Sequence, residues 1–506
     1  MFPVNFLLQC CIQKETFMRR SGILLPISSL NGKYGIGTLG KEAFAFVDFL
    51  SASGQSYWQI LPIGPTSYGD SPYQSFSAFA GNPYYIDLDI LHEQGLLTEK
   101  ECHLHTLPEK TVDYATLHRT RLPILKKASA RMDPSTPAYQ AFCKNQAQWL
   151  EDYALFMTIK ELQSNAPLLQ WPDALKDRHS KAVAALRQTH MEKVEQWKIL
   201  QYLFYEQFFR LKQYANHKGV ELIGDIAIYV AADSADVWTH PKLFQVNADF
   251  TQHNVAGCPP DRFSAQGQIW GNPLYDWPYH KRTNFTWWIQ RLAHAQTVYD
   301  MTRFDHFRGL ESYYSIPANQ TTAKGGRWKK GPGKAFIDAI KASLPSMRLI
   351  VEDLGFLTQG VYDLLHYSGY PGMKVLQFAF AGDSANIYLP HFYTPHCVVY
   401  TGTHDNTTAE DWQYVFTPQE VARAKDYMNY TAPSSFAYSF IRLALASVAK
   451  TAIIPLADYL CLGSEGRINT PQTIGNNWTW RVKKEALTPS LEKRLRHLTS
   501  LYGRLP

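Results

Sequence analysis

Eight apolar runs recur along the chain, and each predicts a β-strand. They are rich in Val, Ile, Leu, Phe and Tyr and contain few polar residues, which is typical of strands buried on both faces of a parallel sheet. The runs are residues 23–27, 57–63, 220–230, 301–307, 348–353, 373–380, 397–403 and 452–458.

Helical patterns separate several of these runs. Residues 41–54 place Phe46, Val47 and Leu50 on one helical face, and residues 333–346 show a similar pattern. Strands that alternate with helices, with eight strands buried, predict a parallel (β/α)₈ TIM barrel of the α/β class. A doubly wound parallel sheet is the alternative that the pattern leaves open.

Large insertions are expected because such a barrel needs only about 250 residues. Amphipathic helical patterns at residues 137–163 and 191–216 lie between the second and third predicted strands. We therefore predict a mostly helical insertion subdomain at roughly residues 85–215. A smaller helical insertion is predicted at roughly residues 407–451.

The first 17 residues are partly apolar but too short to span a membrane, which takes about 20 residues. They also lack the leading positive charge and the small-residue cleavage site of a secretory signal. Met18 is an equally good start, so residues 1–17 are predicted to be a disordered extension of a barrel domain at residues 18–506. The sequence suggests no other membrane segment, and a membrane is not an expected partner.

Acidic residues close three of the predicted strands, in the strings MTRFDHFRG, RLIVEDLG and VVYTGTHDN. The acids of interest are Asp305, Glu352 and Asp405. In a barrel, groups at the carboxyl ends of the strands converge on one mouth. Carboxylates that are desolvated together have pKa values pushed apart, so that one donates a proton while another stays ionised. These three acids are the candidates for catalysis.

The residues around these acids favour a different role for each of the three carboxyl groups. Alternation along a strand places Arg303 on the same face as Asp305, where a guanidinium would hold an ionised nucleophile. Glu352, near an anion in an apolar pocket, would be a general acid. Asp405 with His404 would hold substrate hydroxyls or an electron-poor transition state. Two working carboxylates favour glycosyl transfer, although each acid alone could also cap a helix or pair with a core arginine.

Composition narrows the choice of partners. The chain is 45% apolar and 19% charged, which is ordinary for a globular protein. Its net charge of +6 is mild, and its densest basic stretch, residues 324–334, is Gly-rich and predicted to be a solvated loop, so nucleic acid is not an expected partner. Aromatic residues make up 14% of the chain, and many lie in polar loops such as residues 65–85, which favours a cleft that stacks on a sugar. Nothing in the sequence predicts an oligomeric state.

Neither a cofactor nor a metal is predicted. The seven cysteines are scattered without a CxxC pair, which fits a reducing cytoplasm, and the pair His103 and His105 lacks a third ligand. A GxGxxG string at Gly35, Gly37 and Gly40 has the setting of a dinucleotide site, but the acid expected about 20 residues later is missing. A turn at the barrel mouth is therefore favoured.

Long strings of the chain carry a resemblance to a known family. They are WQILPIGPTSYGDSPYQSFSAFAGNP, GDIAIYVAADSADVW, PPDRFSAQGQIWGNPLYDW, FDHFRG, VEDLG, PGMKVLQFAF, YTGTHDN and LGSEGRINTP. Together they resemble the 4-α-glucanotransferase family (amylomaltase or disproportionating enzyme, glycoside hydrolase family 77), a branch of the α-amylase clan. The resemblance runs from about Gly22 to Arg481. It implies an enzyme that transfers α-1,4-glucan segments between malto-oligosaccharides with retention. No cofactor is expected, because carboxylates carry this chemistry.

The resemblance also implies roles for single residues. Asp305 is expected to be the nucleophile that forms a glycosyl-enzyme, Glu352 the acid and then the base, and Asp405 the stabiliser of the transition state. Most of the other matched positions belong to the donor site of the family, and two lie in a loop, residues 257–277, that overhangs the cleft in relatives. The predicted substrate-binding residues are Tyr73, Asp225, Arg303, His306, His404, Asp261 and Trp270.

Four positions depart from the usual pattern of the family. Cys258 and Arg262 stand where an aliphatic residue and a tyrosine are commoner, Thr407 where an acid is commoner, and Ala457 where a glutamine is usual. None of them removes a catalytic group. They leave open the acceptor preference and the size of the product.

Two other functions remain as alternatives. An α-glucan hydrolase of the same clan would use the same acids. A non-catalytic glucan-binding protein would keep the aromatic residues but lose the acids, and all three acids are present.

Overall fold

The structure is a computed structural model that describes residues 18–103, 107–261, 264–431 and 435–506. The predicted extension at residues 1–17 lies outside the described residues, as do His105 and Arg262. In the part of the chain that the structure describes, no helix has both the length and the apolar character needed to cross a bilayer.

Twelve strands form within the described residues, and they are numbered β1 to β12 in chain order. They are Arg20–Leu24, Tyr57–Gln59, Glu221–Ile226, Asn254–Cys258, Gln268–Pro273, Met301–Phe304, Ser312–Pro317, Arg327–Lys330, Leu349–Val351, Gly372–Val375, Cys397–Tyr400 and Thr451–Pro455.

Eight of these strands close a parallel barrel in the order β1-β12-β11-β10-β9-β6-β3-β2. Each overlaps one of the eight predicted apolar runs, so the predicted TIM barrel is confirmed and the doubly wound sheet is wrong. The barrel strands are almost completely buried, which explains why their sequences read as continuous apolar runs.

The barrel register fixes which side chains of neighbouring strands lie opposite each other. In the β3–β6 pair, Asp225 lies opposite Arg303, and in the β6–β9 pair, Arg303 lies opposite Ile350. Because the strands are parallel, the residues that follow β6 and β9 emerge side by side at the same mouth.

Helices cover the barrel and fill the long connection between β2 and β3. The helices of the described residues are Lys41–Ala52, Leu88–Glu93, Glu99–Cys102, Tyr114–Arg131, Pro137–Asn145, Leu150–Leu162, Asp173–Lys176, Lys181–Thr189, Met191–His217, Ala235–Thr239, Trp277–Arg282, Thr286–Val298, Arg308–Glu311, Lys334–Ser343, Gln359–Ser368, Trp412–Val415, Pro418–Tyr427, Phe436–Ala446, Leu456–Tyr459 and Pro489–Leu501.

The longest of these helices, Met191–His217, organises the connection between β2 and β3. It packs against Tyr114–Arg131 and Leu150–Leu162 on one side and against Lys41–Ala52 of the barrel on another. Its buried residues recur at helical spacing, as in Trp197, Leu200, Phe204, Phe208 and Leu211, and this apolar stripe fixes the helix on the barrel.

A second sheet stands beside the barrel mouth, and its strands were not predicted. It is antiparallel, in the order β5-β4-β7-β8. The expected loop at residues 257–277 is therefore partly the β4–β5 hairpin, and the expected solvated loop at residues 324–334 contains β8. All four residues of β8 are exposed, so they leave no apolar pattern. Gly257 of β4 is needed for the close pairing, because a Cβ there would lie 2.1 Å from the carbonyl oxygen of Gln268.

Candidate active site

The three predicted catalytic acids meet at the carboxyl end of the barrel. Asp305 directly follows β6, Glu352 directly follows β9, and Asp405 lies farther out, in the loop after β11. All three line a single cleft of about 370 Å³. The fold thus brings together side chains that are far apart in the sequence.

Arg303 is the electrostatic centre of this mouth. Its Nη1 lies 2.7 and 2.9 Å from the two carboxylate oxygens of Asp225 and 2.9 Å from Oδ1 of Asp305. Burial opposes the charge, but Asp225 and then Asp305 hold the pKa of Arg303 well above its usual range. A permanent cation therefore orients the Asp305 carboxylate through a charge-assisted contact.

Glu352 is the most enclosed of the three acids. Its Oε2 accepts a hydrogen bond from the backbone N–H of His306 at 2.8 Å, and its Oε1 accepts one from Leu354 at 2.9 Å. Burial, and next the charge of Asp305, raise the pKa of Glu352 to about 7, against the opposing effect of Arg303. A carboxyl group with this pKa carries a proton in a large fraction of molecules near neutral pH, as a general acid requires.

The backbone of His306 is strained at this point. Its φ of +50° lies in the left-handed region, which costs a non-glycine residue about 1 kcal/mol. The conformation aims the His306 N–H at Glu352. The hydrogen bond to Glu352 thus stabilises the strained backbone of His306, and the same bond positions the Glu352 carboxyl group.

Asp225 and Tyr73 form the floor of the site. Asp225 is buried and accepts a hydrogen bond from the Tyr73 hydroxyl at 2.8 Å. Burial raises the pKa of Asp225 to about 7, although its ion pair with Arg303 opposes the rise. The Tyr73 ring stacks on His404, with centroids 5.1 Å apart and planes 17° from parallel. Tyr73 therefore links the Arg303 cluster to the loop that carries the third acid.

Asp405 is the most exposed acid of the three, with 45% of its side chain accessible. Its Oδ1 accepts a hydrogen bond from Nδ2 of Asn469 at 2.6 Å and lies 3.4 Å from Nε2 of His404. Burial lowers the pKa of His404, so this ring is neutral near pH 7. An exposed carboxylate beside a neutral imidazole is suited to binding sugar hydroxyls.

Part of the cleft lining is aromatic. The Trp270 ring meets the His306 ring edge to face, with centroids 5.0 Å apart. Gln74 donates a hydrogen bond to the Trp270 carbonyl oxygen at 3.1 Å, which ties the Trp270 wall to the loop at residues 65–85. Burial lowers the pKa of His306 to about 4, so the His306 ring is also neutral at physiological pH.

Asp261 lies in the loop that joins β4 to β5. Its side chain is exposed and accepts a hydrogen bond from the Ser264 N–H at 2.7 Å. It is not among the described residues that line the cleft. The sequence places Asp261 in the string that overhangs the cleft in relatives. It does not show the direction of the Asp261 side chain.

Several cleft residues were missed from the sequence. Gln74, Asn469 and Trp478 all line the cleft, and Trp478 lies 5.9 Å from His404 between ring centroids. Gln74 lies in the loop at residues 65–85, where the aromatic residues predicted a cleft but did not single out this amide. Asn469 and Trp478 lie in a loop whose Gly, Asn and Thr content predicts only irregular structure. A tryptophan in such a polar loop was the signal that could have drawn attention to Trp478.

The other motifs noted in the sequence serve the fold. The GxGxxG string precedes helix Lys41–Ala52, and the Asp87 carboxylate packs so closely on Gly40 that a Cβ there would lie 2.1 Å from it. A carboxylate at this helix start is a poor neighbour for a phosphate. Within the described ranges, no group of three or more His, Cys, Asp or Glu side chains is arranged to hold a metal ion.

Comparison with known proteins decides the family. The family model described as 4-alpha-glucanotransferase matches residues 25–488, which is most of the chain. The chain belongs to the 4-alpha-glucanotransferase family. The 4-alpha-glucanotransferase of Clostridium butyricum is 44% identical over 95% of this chain and 100% of its own length. That of Thermus thermophilus is 43% identical over 96% of this chain and 99% of its own length.

Solved structures agree. The amylomaltase from Streptococcus agalactiae in complex with acarbose is 41% identical, with a TM-score of 0.93 over 96% of this chain and 100% of that one. The amylomaltase from Corynebacterium glutamicum shares the fold at 18% identity, with a TM-score of 0.77 over 98% of this chain and 77% of that one. The predicted family, fold and 4-α-glucanotransferase activity are confirmed.

Proposed function

We propose that this enzyme transfers α-1,4-glucan segments between malto-oligosaccharides by double displacement through a covalent glycosyl-enzyme. One observation carries the proposal. Asp305 and Glu352 follow neighbouring strands, line the same cleft and lie 2.9 and 4.0 Å from the same Arg303 guanidinium. Two carboxyl groups held this close suit a retaining mechanism, in which one attacks the sugar directly.

In the first step, Glu352 gives its proton to the bridging oxygen while the Asp305 carboxylate attacks the anomeric carbon. The bond between that carbon and the bridging oxygen breaks, the reducing-end fragment leaves as an alcohol, and Asp305 becomes a glycosyl ester. The pKa of Glu352, raised to about 7 by burial, supports its role as the proton donor.

In the second step, the 4-hydroxyl of another glucan loses its proton to the Glu352 carboxylate and attacks the ester. The ester bond to Asp305 breaks and a new α-1,4 bond forms, so the anomeric configuration is retained after two inversions. Because water could attack instead, transfer depends on an acceptor that occupies the cleft and excludes water.

The remaining cleft residues are proposed to bind the donor. Asp405, with the neutral imidazole of His404, would hold hydroxyls of the distorted sugar, and Tyr73 would stack on the donor ring. His306 and Trp270 would form an aromatic wall of the cleft. Asp225 and Arg303 lie below the cleft and act by holding Asp305. Asp261, in the loop between β4 and β5, is proposed to contact the glucan from the overhanging hairpin.

The names of the relatives support α-glucans as the substrates. We propose malto-oligosaccharides as the natural ligands of this cleft and the cytoplasm as the location. The described cysteines are free thiols, which suits a reducing compartment.

Maltotriose as the sole substrate tests the proposed function. Transfer gives free glucose together with maltotetraose and longer products, because each glycosyl-enzyme passes its unit to a second sugar. Hydrolysis gives glucose and maltose and nothing longer than the starting sugar. A chromatogram without products longer than maltotriose contradicts the proposal, as does formation of β-linked products in the proton NMR spectrum.

Replacing Trp270 with alanine is expected to raise hydrolysis relative to transfer several-fold. The indole packs against His306 at the cleft wall, and its loss opens the glycosyl-enzyme to water. The net gain in reducing ends per glucose released measures the ratio, because transfer leaves the total number of reducing ends unchanged. Trp328→Ala is the matched control, because Trp328 lies in β8 of the same sheet but is not among the described residues that line the cleft. An unchanged ratio in Trp270→Ala, or an equal rise in both variants, would refute a water-excluding role.

A further inference from the structure

A buried carboxylate beneath the loop of the third acid has no part in the proposed chemistry. Asp458 lies in the short helix Leu456–Tyr459, directly after β12, and is completely buried. It is not among the described residues that line the cleft. A buried carboxylate is costly unless its oxygens are satisfied, so the groups that satisfy it indicate what it is there to hold.

Both ends of one loop meet at this carboxylate. Oδ2 of Asp458 accepts a hydrogen bond from the Thr401 hydroxyl at 2.5 Å, and Oδ1 accepts one from the Ala409 backbone N–H at 2.7 Å. Thr401 is the first residue after β11, and both it and Ala409 are completely buried. The segment between them contains His404 and Asp405. A single side chain thus closes the base of the loop that carries the third acid.

The tip of the same loop is fixed separately, from the same side. Asn469 donates a hydrogen bond from Nδ2 to the Asp405 carboxylate and another from its backbone N–H to the His404 carbonyl oxygen, at 2.6 and 3.1 Å. Arg467 donates to the Asp405 carbonyl oxygen at 3.2 Å. The residues that hold the base and the tip of the loop, Asp458, Arg467 and Asn469, all follow β12. One segment of the chain therefore holds both parts of the loop.

We propose that Asp458 is a positioning residue for the transfer reaction. By joining Thr401 to Ala409 it fixes the loop, and through the loop it places the Asp405 carboxylate over the cleft. The inference rests on the role of Asp405 in the proposed function. Asp458 does not touch the substrate, because both of its oxygens are engaged inside the protein.

Asp458→Ala is expected to lower kcat about 100-fold, the scale of loss that follows a misplacement of about 1 Å at a catalytic group. The KM for maltotriose should change by less than about threefold, because contacts with the bound sugar remain while an interaction made in the transition state is lost. Asp458→Asn should keep most of the activity, because its oxygen still accepts from Ala409 and its amide can donate to the Thr401 hydroxyl. Each kcat is calculated per folded molecule, with the folded fraction measured by circular dichroism.

Asp87→Ala is the matched control. Asp87 is also buried and accepts hydrogen bonds from a threonine hydroxyl, Thr38, and from the backbone N–H of Ile90, but it caps helix Leu88–Glu93 outside the cleft. This variant should lose thermal stability and keep its kcat. If Asp458→Ala behaves in the same way, with a lower Tm and an unchanged kcat, the positioning role is overturned.

Thr401→Val decides the matter if Asp458→Ala does not fold. It removes only one of the two hydrogen bonds of the clamp, so kcat should fall about tenfold without a change in KM, which corresponds to about one hydrogen bond to a charged group. An unchanged kcat in this variant overturns the proposal.

Combination with Asp405→Ala separates this inference from the proposed function. If Asp405→Ala keeps full activity, the proposed role of Asp405 fails. If Asp405→Ala is impaired while folded Asp458→Ala is not, only the positioning role fails. In the Asp405→Ala background, adding Asp458→Ala should lower kcat by less than about threefold, since residues that act as one unit are not additive. A further 100-fold loss there would show that Asp458 acts through another group.

Discussion

Asp305→Asn is expected to lower the kcat for maltotriose disproportionation by about 10⁵-fold while leaving maltotriose bound. An amide of the same shape cannot attack the anomeric carbon, so no glycosyl-enzyme forms. Arg303 keeps its two contacts with Asp225, at 2.7 and 2.9 Å, so the site should remain assembled without the Asp305 charge. Isothermal calorimetry of the variant with maltotriose measures binding separately from turnover.

Trapping the intermediate gives the same prediction a direct signature. A fluorinated glucosyl fluoride, which forms the ester but breaks down slowly, should add one glycosyl mass to the wild-type protein and none to Asp305→Asn. After proteolysis, the mass should map to Asp305. Asp338→Asn, at an exposed helical position, is the control and should be labelled normally. A label on Asp405, or turnover by Asp305→Asn above about one thousandth of wild type, would contradict the assignment.

The barrel was predictable because each of its strands leaves a continuous apolar run in the local sequence. Parallel strands buried on both faces must be apolar throughout, and an acid directly after such a strand emerges at the mouth, as Asp305 and Glu352 do. Asp405 is different, since it lies several residues beyond β11 in a loop. Its place in the cleft depends on Asn469 and Asp458, which come from a later segment of the chain.

What could not be predicted depends on contacts between distant segments. The pairing of Asp225 with Arg303 is set by the register of β3 on β6, and the resemblance to a family, not the residue pattern, drew attention to Asp225. The antiparallel sheet was missed because β5 contains Gly271 and Pro273 and because β4 pairs with β7, which lies beyond a barrel strand in the sequence. Strands that are exposed or interrupted by Gly or Pro show no hydrophobic periodicity, so neither the strands nor their pairing can be inferred from the sequence.

Glu352→Gln is expected to lower kcat by about 10³-fold, within the range for loss of general acid-base catalysis. The amide has no proton to give to the bridging oxygen and cannot accept one from the acceptor hydroxyl. An α-glucosyl fluoride donor, whose leaving group needs no proton, should restore formation of the ester, and the second step should stay slow. If the variant is equally impaired with the fluoride and with maltotriose, Glu352 is not the acid.

The pH dependence of kcat/KM tests whether the protonated form of Glu352 is the reactive one. Burial raises the pKa of Glu352 to about 7, and the reactive form of the free enzyme is the protonated one. The kcat/KM should therefore fall as the pH rises above about 7, approaching a tenfold loss for each unit. Glu352→Gln should lose this decline. Asp225 also has its pKa raised to about 7 by burial, so Asp225→Asn is the control that must keep the decline.

The same cluster explains how one carboxyl group can serve both steps. After burial, the charge of Asp305 is the next largest cause of the raised pKa of Glu352. When Asp305 becomes a neutral ester, that cause disappears while Arg303 remains, so the pKa of Glu352 should fall and the group should become a carboxylate ready to accept the acceptor's proton. In the trapped fluoroglucosyl-enzyme, the carbon NMR signal of labelled Glu352 should titrate at lower pH than in the free enzyme. An equal or higher pKa in the trapped form would contradict this coupling of charge to the reaction cycle.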